Sequence, residues 1–595
     1  MGAVGPELEK WLRWDKDPET RAEMEALATG GEEAELRARL GGRLSFGTAG
    51  LRGRMGAGFG RLNTLTIIQA TQGLLTYASR LQPGLKSAGL VLGFDGRHNS
   101  RRFADVVAGI FAREGVKVWL FTKVVPTPLV SFAVEKLGAG VGVMVTASHN
   151  PKEDNGYKVY WSSGAQLVVP HDAGVEAAMS EMAEPWPASF NGRTADLEPL
   201  VADPLPIVWP VYLAAHQPIN YMKEANEKSS LRIVYSAFHG VGSAYTPALL
   251  QAFGFKEQCI VEVKEQAQPN GDFPSLKGPP NPEEGGSALE LPMATADRNQ
   301  CSLILVNDPD ADRLQVAQKI GESWRVFTGN EMGVLLSHWL WSKYRERHPD
   351  EPGENCVMLN STVSSSFTAT LASAEGFRHE ETLTGFKWMA NAAVKHRGLG
   401  RHVLLAWEES IGYMPGVAMD KDGVAAAAIF AEMTAALAAR GLNLEQQLDA
   451  IFFKYGYHVA RNGYVRCPDA ELKRAIFARL RSGPGQGLEK YPKAVGGLSI
   501  VAVRDLTTGL DTAQPDCKAV LPVDSRSEMI TLRLEGGSWL TVRASGTEPK
   551  IKYYLELKTL PAADHQTLSA TKQKVEELVA AVKSDLLQCQ LHGLV

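Results

Sequence analysis

Four short polar segments of this sequence carry side chains that could do chemistry. Thr146-Ala-Ser-His-Asn-Pro151 directly follows an apolar run at 141–145. A serine just past a strand end is exposed and anchored by a rigid element, as a nucleophile must be. No G-x-S-x-G elbow surrounds Ser148, which disfavours that class of hydrolase. The following residues, 151–158, read as a turn that places two cations, Lys152 and Lys158, beside the serine. Asp308-Pro-Asp-Ala-Asp-Arg313 follows the β-rich run 302–306 and sets three carboxylates at i, i+2 and i+4. Like-charge repulsion makes a cation their natural partner, and an all-oxygen donor set selects a hard ion such as Mg²⁺. An EF-hand is excluded, because Arg313 stands at the glycine position and Lys319 at the twelfth.

The other two segments suit a sugar and a phosphate. Trp407-Glu-Glu-Ser-Ile-Gly412 offers Glu408 and Ser410, which pair well with vicinal hydroxyls. Thr384-Gly-Phe-Lys-Trp388 upstream, with Gly385 and Lys387, and Asp420-Lys-Asp-Gly423 downstream each add a cation near a turn. Arg543-Ala-Ser-Gly-Thr-Glu-Pro549 can grip a phosphate through the Arg543 fork, with Ser545, Thr547 and the amides around Gly546 completing a cradle. Its spacing is not that of a Walker A loop, so no nucleotide is implied.

These segments need a frame. Short β-rich runs at 90–94, 117–121, 142–145, 232–235, 302–306, 356–359 and 402–406 alternate with helical patterns. Such alternation predicts parallel sheets covered on both faces, with ligands beyond the carboxyl ends of the strands. The polar segments sit at those ends. Residues 6–40 read as one or two amphipathic helices, and the glycine-dense stretch 47–60 as a loop whose backbone approaches a ligand. Residues 184–210 read as a Pro-rich linker, with surface loops at 349–354 and 481–497. From about residue 457, alternating strands such as 529–534 and 539–543 precede a C-terminal helix. The expected fold class is therefore α/β: three related α/β units with mixed, mainly parallel sheets, plus a C-terminal α+β domain. The expected divisions are 1–205 with the serine loop, 206–330 with the metal loop, 331–453 with the sugar loop and 454–595 with the phosphate loop.

Composition narrows the partners. A chain of 595 residues exceeds one hydrophobic core, and 44% hydrophobic with 22% charged residues is ordinary for a soluble enzyme. A net charge of −5 provides no basic field for nucleic acid or an anionic membrane, so an anionic substrate must meet a local cluster of Arg and Lys. Six scattered cysteines without a C-x-x-C pair fit reduced thiols and a cytoplasmic location. The N-terminus lacks the pattern of a signal peptide, Pro6 breaks the myristoylation motif, and the Ala-rich stretch 424–439, interrupted by Glu432, reads as a buried helix.

Taken in order, the four motifs resemble those of the α-D-phosphohexomutases. Ser148-His-Asn-Pro-Lys-Glu-Asp-Asn-Gly-Tyr-Lys-Val-Tyr-Trp161, Ser236-Ala-Phe-His-Gly-Val-Gly242, Leu383-Thr-Gly-Phe-Lys-Trp-Met389 and Arg504-Asp-Leu-Thr-Thr-Gly509 resemble the animal phosphoglucomutase-2 branch, which includes phosphopentomutases and glucose-1,6-bisphosphate synthases. The resemblance implies four domains around a central cleft, each giving one loop, with a mobile last domain. It implies that Ser148 is the phosphoserine and that Asp308, Asp310 and Asp312 bind Mg²⁺ together with a phosphoserine oxygen. His149, Lys158 and Arg313 would line the transfer side, Arg52 would join them, and Glu408 and Ser410 would read sugar hydroxyls. Arg543, Ser545, Gly546 and Thr547 would hold the other phosphate. Lys421 and His149 are both candidates for the general base. The first loop reads Thr48-Ala-Gly50 where many relatives have Thr-Ser-Gly. The implied activity is a phosphosugar mutase activated by a sugar bisphosphate such as glucose 1,6-bisphosphate. A glucose-1,6-bisphosphate synthase drawing on 1,3-bisphosphoglycerate and an inert sugar-binding relative are the alternatives. Monomer and dimer both stay open.

Overall fold

The computed structural model describes residues 5–44, 50–545, 549–562 and 564–594. Contacts divide the chain into two compact units, Met1–Leu359 with Gly385–Leu444, and Asn360–Thr384 with Glu445–Val595. Among the described residues, no helix is long and apolar enough to cross a membrane.

The first unit holds a six-stranded sheet built from β1 (Leu51–Arg54), β2 (Leu90–Phe94), β3 (Val118–Leu120), β4 (Val141–Val145), β5 (Asp154–Trp161) and β6 (Val201–Ala202), in the order β1-β5-β4-β2-β3-β6. β4, β2, β3 and β6 are parallel, whereas β5 and β1 add antiparallel at one edge. Every residue of β2 and β4 is buried, as expected for strands covered on both faces. Helices Thr64–Leu81 and Ser100–Arg113 supply much of that cover.

A second, five-stranded sheet comprises β7 (Ile233–Ser236), β8 (Ile260–Glu262), β9 (Leu303–Asn307), β10 (Leu314–Ile320) and β11 (Ser323–Val326), in the order β11-β10-β9-β7-β8. The buried helix Gly423–Ala438 packs on β9 and β10, and its Glu432 carboxylate accepts from the backbone of Met222 at 2.8 Å and Tyr221 at 3.2 Å. Further strands are β12 (Cys356–Ser361), β13 (Arg378–Thr382), β14 (His402–Glu408) and β15 (Gly412–Met414). Within the first unit β14 runs antiparallel to β15.

The second unit contains a seven-stranded antiparallel sheet: β16 (His458–Arg466), β17 (Ala494–Val495), β18 (Leu498–Asp505), β19 (Leu510–Asp511), β20 (Met529–Leu534), β21 (Trp539–Ala544) and β22 (Lys550–Lys558). Its order is β16-β22-β21-β20-β18-β17, with β19 beside β18, and helix His565–Ala581 packs on β16 and β22.

Several local expectations change. Residues 5–40 form three helices, because Asp17 caps a new helix opened by Pro18 and Gly31 breaks the chain at φ 69°. Within the glycine-dense loop, Leu51–Arg54 is a strand that pairs with β5; residues 45–49 lie outside the described part. The 184–210 linker carries two 3-10 turns, β6 and the start of helix Leu205–Ala215, which takes Pro210 inside it. Lys158 belongs to β5 and not to a turn, so its side chain points from a fixed sheet position. The 481–497 loop includes β17.

Candidate active site

Three polar loops of the first unit meet at one point, and each begins where a strand ends. β4 runs into Ser148, β9 into Asp308–Asp312 and β14 into Glu408 and Ser410. Against the exposure that its place past a strand end predicts, Ser148 is only 2% exposed, because the aspartate loop covers its Oγ. It adopts φ 53°, a left-handed conformation that costs a non-glycine residue about 1–2 kcal/mol. Its N–H donates to Thr146 Oγ1 at 2.9 Å, and its Oγ donates to Asp308 Oδ2 at 2.7 Å, with His149 Nδ1 3.2 Å away.

The aspartate loop closes a hairpin between β9 and β10, in which Asn307 faces Leu314. Asn307 Nδ2 donates to the Arg313 carbonyl at 2.7 Å, Ala311 turns at φ 54°, and the Val241 N–H reaches the Pro309 carbonyl at 2.9 Å. The Ser236–Gly242 motif finds its reason here: a Cβ on Gly240 would stand 2.3 Å from Pro309 Cα.

Asp308, Asp310 and Asp312 are wholly buried, with ligand oxygens all within 4.8 Å of one another. Lys158 Nζ donates to Asp310 at 2.7 Å and Asp312 at 2.8 Å, and Lys421 Nζ lies 3.1 Å from Asp312. Asp310 Oδ1 and Asp312 Oδ1 are buried without a hydrogen-bond partner among the described residues. Burial, then the neighbouring Asp310 and Asp312, push the Asp308 carboxyl well above the usual range. Burial acts the same way on Asp310 and Asp312, but Lys158 together with the Thr127 hydroxyl at Asp310, and Lys158 together with Lys421 and Arg313 at Asp312, hold both below the usual range. Crowded carboxylates with unused oxygens fit a hard divalent cation, which would relieve the repulsion that raises Asp308.

The surrounding charges are ordered. Burial alone would lower Lys158 and Lys421, yet their aspartate neighbours raise both, so each is an ammonium. Burial, then Arg313 and Arg52, push His149 well below its ordinary value and keep it neutral. Arg313 donates to the Ser410 carbonyl at 3.0 Å, and Arg52, on β1, to Asn150 Oδ1 at 3.1 Å. Glu408 accepts from the Gly385 N–H; burial, then Glu409, push its carboxyl up to about 7. Gly412 leaves room for Lys421, since a Cβ there would lie 2.5 Å from Lys421 Cδ.

The structure therefore gathers Ser148, His149, Lys158, the three aspartates, Arg313, Lys421, Arg52, Glu408, Gly385 and Ser410, the last through its carbonyl. Lys387 lies instead against Asp172 at 3.4 Å. Thr384, Arg543 and Ser545 belong to the second unit, where Arg543 sits on β21 and the Ser545 N–H donates to the Lys550 carbonyl at 3.0 Å. Gly546 and Thr547 lie outside the described residues.

Thr127, Asp95 and Arg97 escaped sequence reasoning, and Asp420 was read only as part of a turn carrying a cation. Thr127 donates to Asp310 Oδ2 at 2.6 Å. Asp420 receives Tyr160 and Gln166 at 2.8 Å each, and the Lys421 N–H at 2.7 Å. Asp95 and Arg97 hold the serine loop from below. They follow β2 as the other motifs follow their strands, and that position was the available signal.

Known proteins resemble this chain along most of its length. Family models described as phosphoglucomutase/phosphomannomutase alpha/beta/alpha domains I, II and III match residues 43–185, 210–321 and 328–455. A human protein named phosphopentomutase is 45% identical over 99% of this chain and 96% of its own length. A human glucose 1,6-bisphosphate synthase is 43% identical over 98% and 94%, and a probable phosphoribomutase of Schizosaccharomyces pombe is 39% identical over 99% and 98%. The crystal structure of the Paramecium phosphoprotein parafusin, a phosphoglucomutase in an open form, superposes with a TM-score of 0.66 at 17% identity over 92% of this chain and 96% of that one. The chain belongs to the phosphoglucomutase/phosphomannomutase family, the α-D-phosphohexomutases. Within it, the chain falls in the branch that holds these phosphopentomutase and bisphosphate synthase relatives, and it is a phosphosugar mutase by family.

Proposed function

We propose that this chain interconverts the 1-phosphate and 5-phosphate of ribose and deoxyribose, or the 1-phosphate and 6-phosphate of glucose, through a phosphorylated Ser148 and a sugar bisphosphate. The observation that carries the reading is the Ser148 Oγ hydrogen bond to Asp308 inside the three-aspartate cluster, with Lys158 locked between the other two carboxylates.

In the first step the substrate hydroxyl oxygen bonds to the phosphorus on Ser148. The P–Oγ bond breaks, its electron pair returns to Oγ, and the hydroxyl proton passes to a base. His149 and Lys421 are the candidates, and His149 is the one held neutral here. The bisphosphate then turns end for end, and Ser148 Oγ bonds to the phosphorus at its other end. The bond from that phosphorus to the sugar oxygen breaks, and the released oxygen takes the proton back from the base. Arg313 and Lys158 stabilise charge on the transferring group, since phosphoryl transfer rests mainly on positioning and electrostatics. Mg²⁺ held by Asp308, Asp310 and Asp312, together with a phosphoserine oxygen, would supply further positive charge to that group. Glu408, Ser410, Thr384, Gly385 and Lys387 are proposed for the sugar. Arg52 is proposed to support the transferring phosphate, and Arg543, Ser545, Gly546 and Thr547 to hold the waiting one. The four-part division at 205, 330 and 453 is retained as part of this reading. A net charge of −5, with the cations gathered at the site, supports a small phosphosugar partner over a polyanion.

Relatives named phosphopentomutase and phosphoribomutase favour the pentose; the synthase relative supplies the second reading. Turnover of ribose 1-phosphate, deoxyribose 1-phosphate and glucose 1-phosphate should be compared with Mg²⁺ and trace glucose 1,6-bisphosphate. A parallel set should contain 1,3-bisphosphoglycerate. Faster pentose isomerisation is expected. Weak isomerisation with accumulating glucose 1,6-bisphosphate would replace the mutase reading with the synthase.

A further inference from the structure

The serine loop is gripped by a group that the reaction described above does not use. One Arg97 guanidinium donates to the Ser148 carbonyl, to that of Asn150 at 2.6 Å, Pro151 at 2.8 Å and Asp154 at 3.2 Å. Its side chain is 1% exposed. Asp95, fully buried, lies 3.4 Å from Arg97 Nε and accepts the Arg97 N–H at 3.0 Å. The same carboxylate accepts Ser100 Oγ at 2.6 Å and Thr146 Oγ1 at 2.7 Å. Thr146 Oγ1 in turn receives the Ser148 N–H. Ser148 is thus fixed on both sides of its Cα by one buried ion pair, its N–H through Thr146 and Asp95, its carbonyl through Arg97.

The other face of the guanidinium is closed by residues from a distant stretch of chain. The Phe273 ring lies 5.1 Å from Arg97 Cζ, and Phe273 itself adopts φ 47°. Backbone contact is close enough that a Cβ on Gly96 would stand 2.8 Å from Pro269 Cβ, and one on Gly271 2.8 Å from the His98 nitrogen. Only a planar, multiply donating cation can fan out over several carbonyls while stacking on a ring and pairing with a carboxylate; a lysine ammonium cannot reproduce that fork.

We propose that Asp95 and Arg97 are positioning residues for the phosphoryl carrier: together they hold the 148–154 loop so that Ser148 Oγ is presented to the aspartate cluster in its left-handed conformation. The inference rests on the mutase reading for its chemistry, but its geometric content stands apart from it. A loop held this way has no slack to lose, because displacement of a reacting atom by about 1 Å can cost a factor of about 100.

Arg97→Lys, Arg97→Ala and Asp95→Asn should be measured beside the wild type for kcat, KM, the rate of Ser148 phosphorylation by glucose 1,6-bisphosphate, and amide exchange across 146–154. Arg97→Lys is expected to lower kcat and the phosphorylation rate about 100-fold, to leave KM within about twofold, and to speed exchange of the loop amides. Added guanidinium should restore part of the rate to Arg97→Ala but not to Arg97→Lys, whose side chain still fills the space. If Arg97→Ala does not fold, Arg97→Lys and Asp95→Asn decide the matter on the same readouts. Arg97→Lys with kcat within about threefold of wild type, or with unchanged loop exchange, would overturn the proposal. Wild-type Ser148 that takes up no phosphate would remove the mutase reading, while the exchange comparison would still judge the clamp.

Discussion

Asp310 and Asp312 each keep one carboxylate oxygen without a hydrogen-bond partner among the described residues although both side chains are fully buried, and a cation is the simplest group to satisfy them. Asp310→Asn keeps an oxygen for Lys158 but removes one negative charge from the cluster. The Mg²⁺ concentration for half-maximal turnover should then rise by at least about 10-fold. Chelation should silence the wild type and Mg²⁺ restore it; turnover unaffected by exhaustive chelation would contradict the assignment. Glu408 offers a test by pH. Its folded-state pKa of about 7 lies above its ordinary 4.5, so the folded chain keeps a proton there that the unfolded chain releases. That contribution to stability is complete below about pH 4.5 and is lost as pH rises through 7. Thermal midpoints of Glu408→Gln should therefore fall less than those of the wild type across this window; identical profiles would show Glu408 ionised throughout. The residue types of the site were legible because each set is consecutive in sequence. Arg97 had only its place after β2 to mark it, since the partners of its guanidinium are backbone carbonyls 51 or more residues away, and a carbonyl leaves no signature in a sequence.

At the scale of elements, the strand ends did most to reveal the site. β2 and β20 coincide with their expected spans, and β4, β7, β9, β12, β14 and β21 agree to within one or two residues. β2, β4, β7, β9 and β12 are buried throughout and read as mainly apolar runs, whereas β20 and β21 read by alternation. Edge strands fared worse. Leu51–Arg54 carries two arginines and two small or apolar residues, and only its pairing with β5 makes it a strand. Lys158 was placed in a turn because a buried lysine breaks an apolar pattern; two aspartates 150 and more residues away make that burial possible. Glycines mark where elements touch. A Cβ on Gly423 would lie 2.2 Å from the Arg313 carbonyl and 2.6 Å from Asn307 Nδ2. Both belong to the hairpin that carries the aspartates, and neither is the end of a flexible chain. Gly423→Ala should thus lower both the melting temperature and the affinity for Mg²⁺, measured by titration calorimetry. A variant that binds Mg²⁺ as the wild type does would show that the helix start at Gly423 and the aspartate loop are independent.

For the whole molecule, sequence reading reached the fold class because three α/β units and a sheet-rich last part follow one another in the chain. It could not reveal that residues Asn360–Thr384 cluster with the last part, since that depends on contacts such as Arg504 with Glu381 at 2.6 Å, 123 residues apart. Thr384 and Gly385, consecutive in the sugar-loop motif, consequently belong to different units. A chain with a net charge of −5 must recruit its anionic substrate through local cations, and the site provides them in Arg52, Lys158, Arg313 and Lys421. The central claim is that one of the molecule's serines carries the phosphoryl group. The most direct measurement is the intact mass of wild type and Ser148→Ala after incubation with glucose 1,6-bisphosphate and Mg²⁺, with mutase turnover followed on the same samples. One added phosphate on the wild type and none on the variant, with turnover lost, is the predicted result. A variant that still gains phosphate, or still turns over at the wild-type rate, would contradict the account.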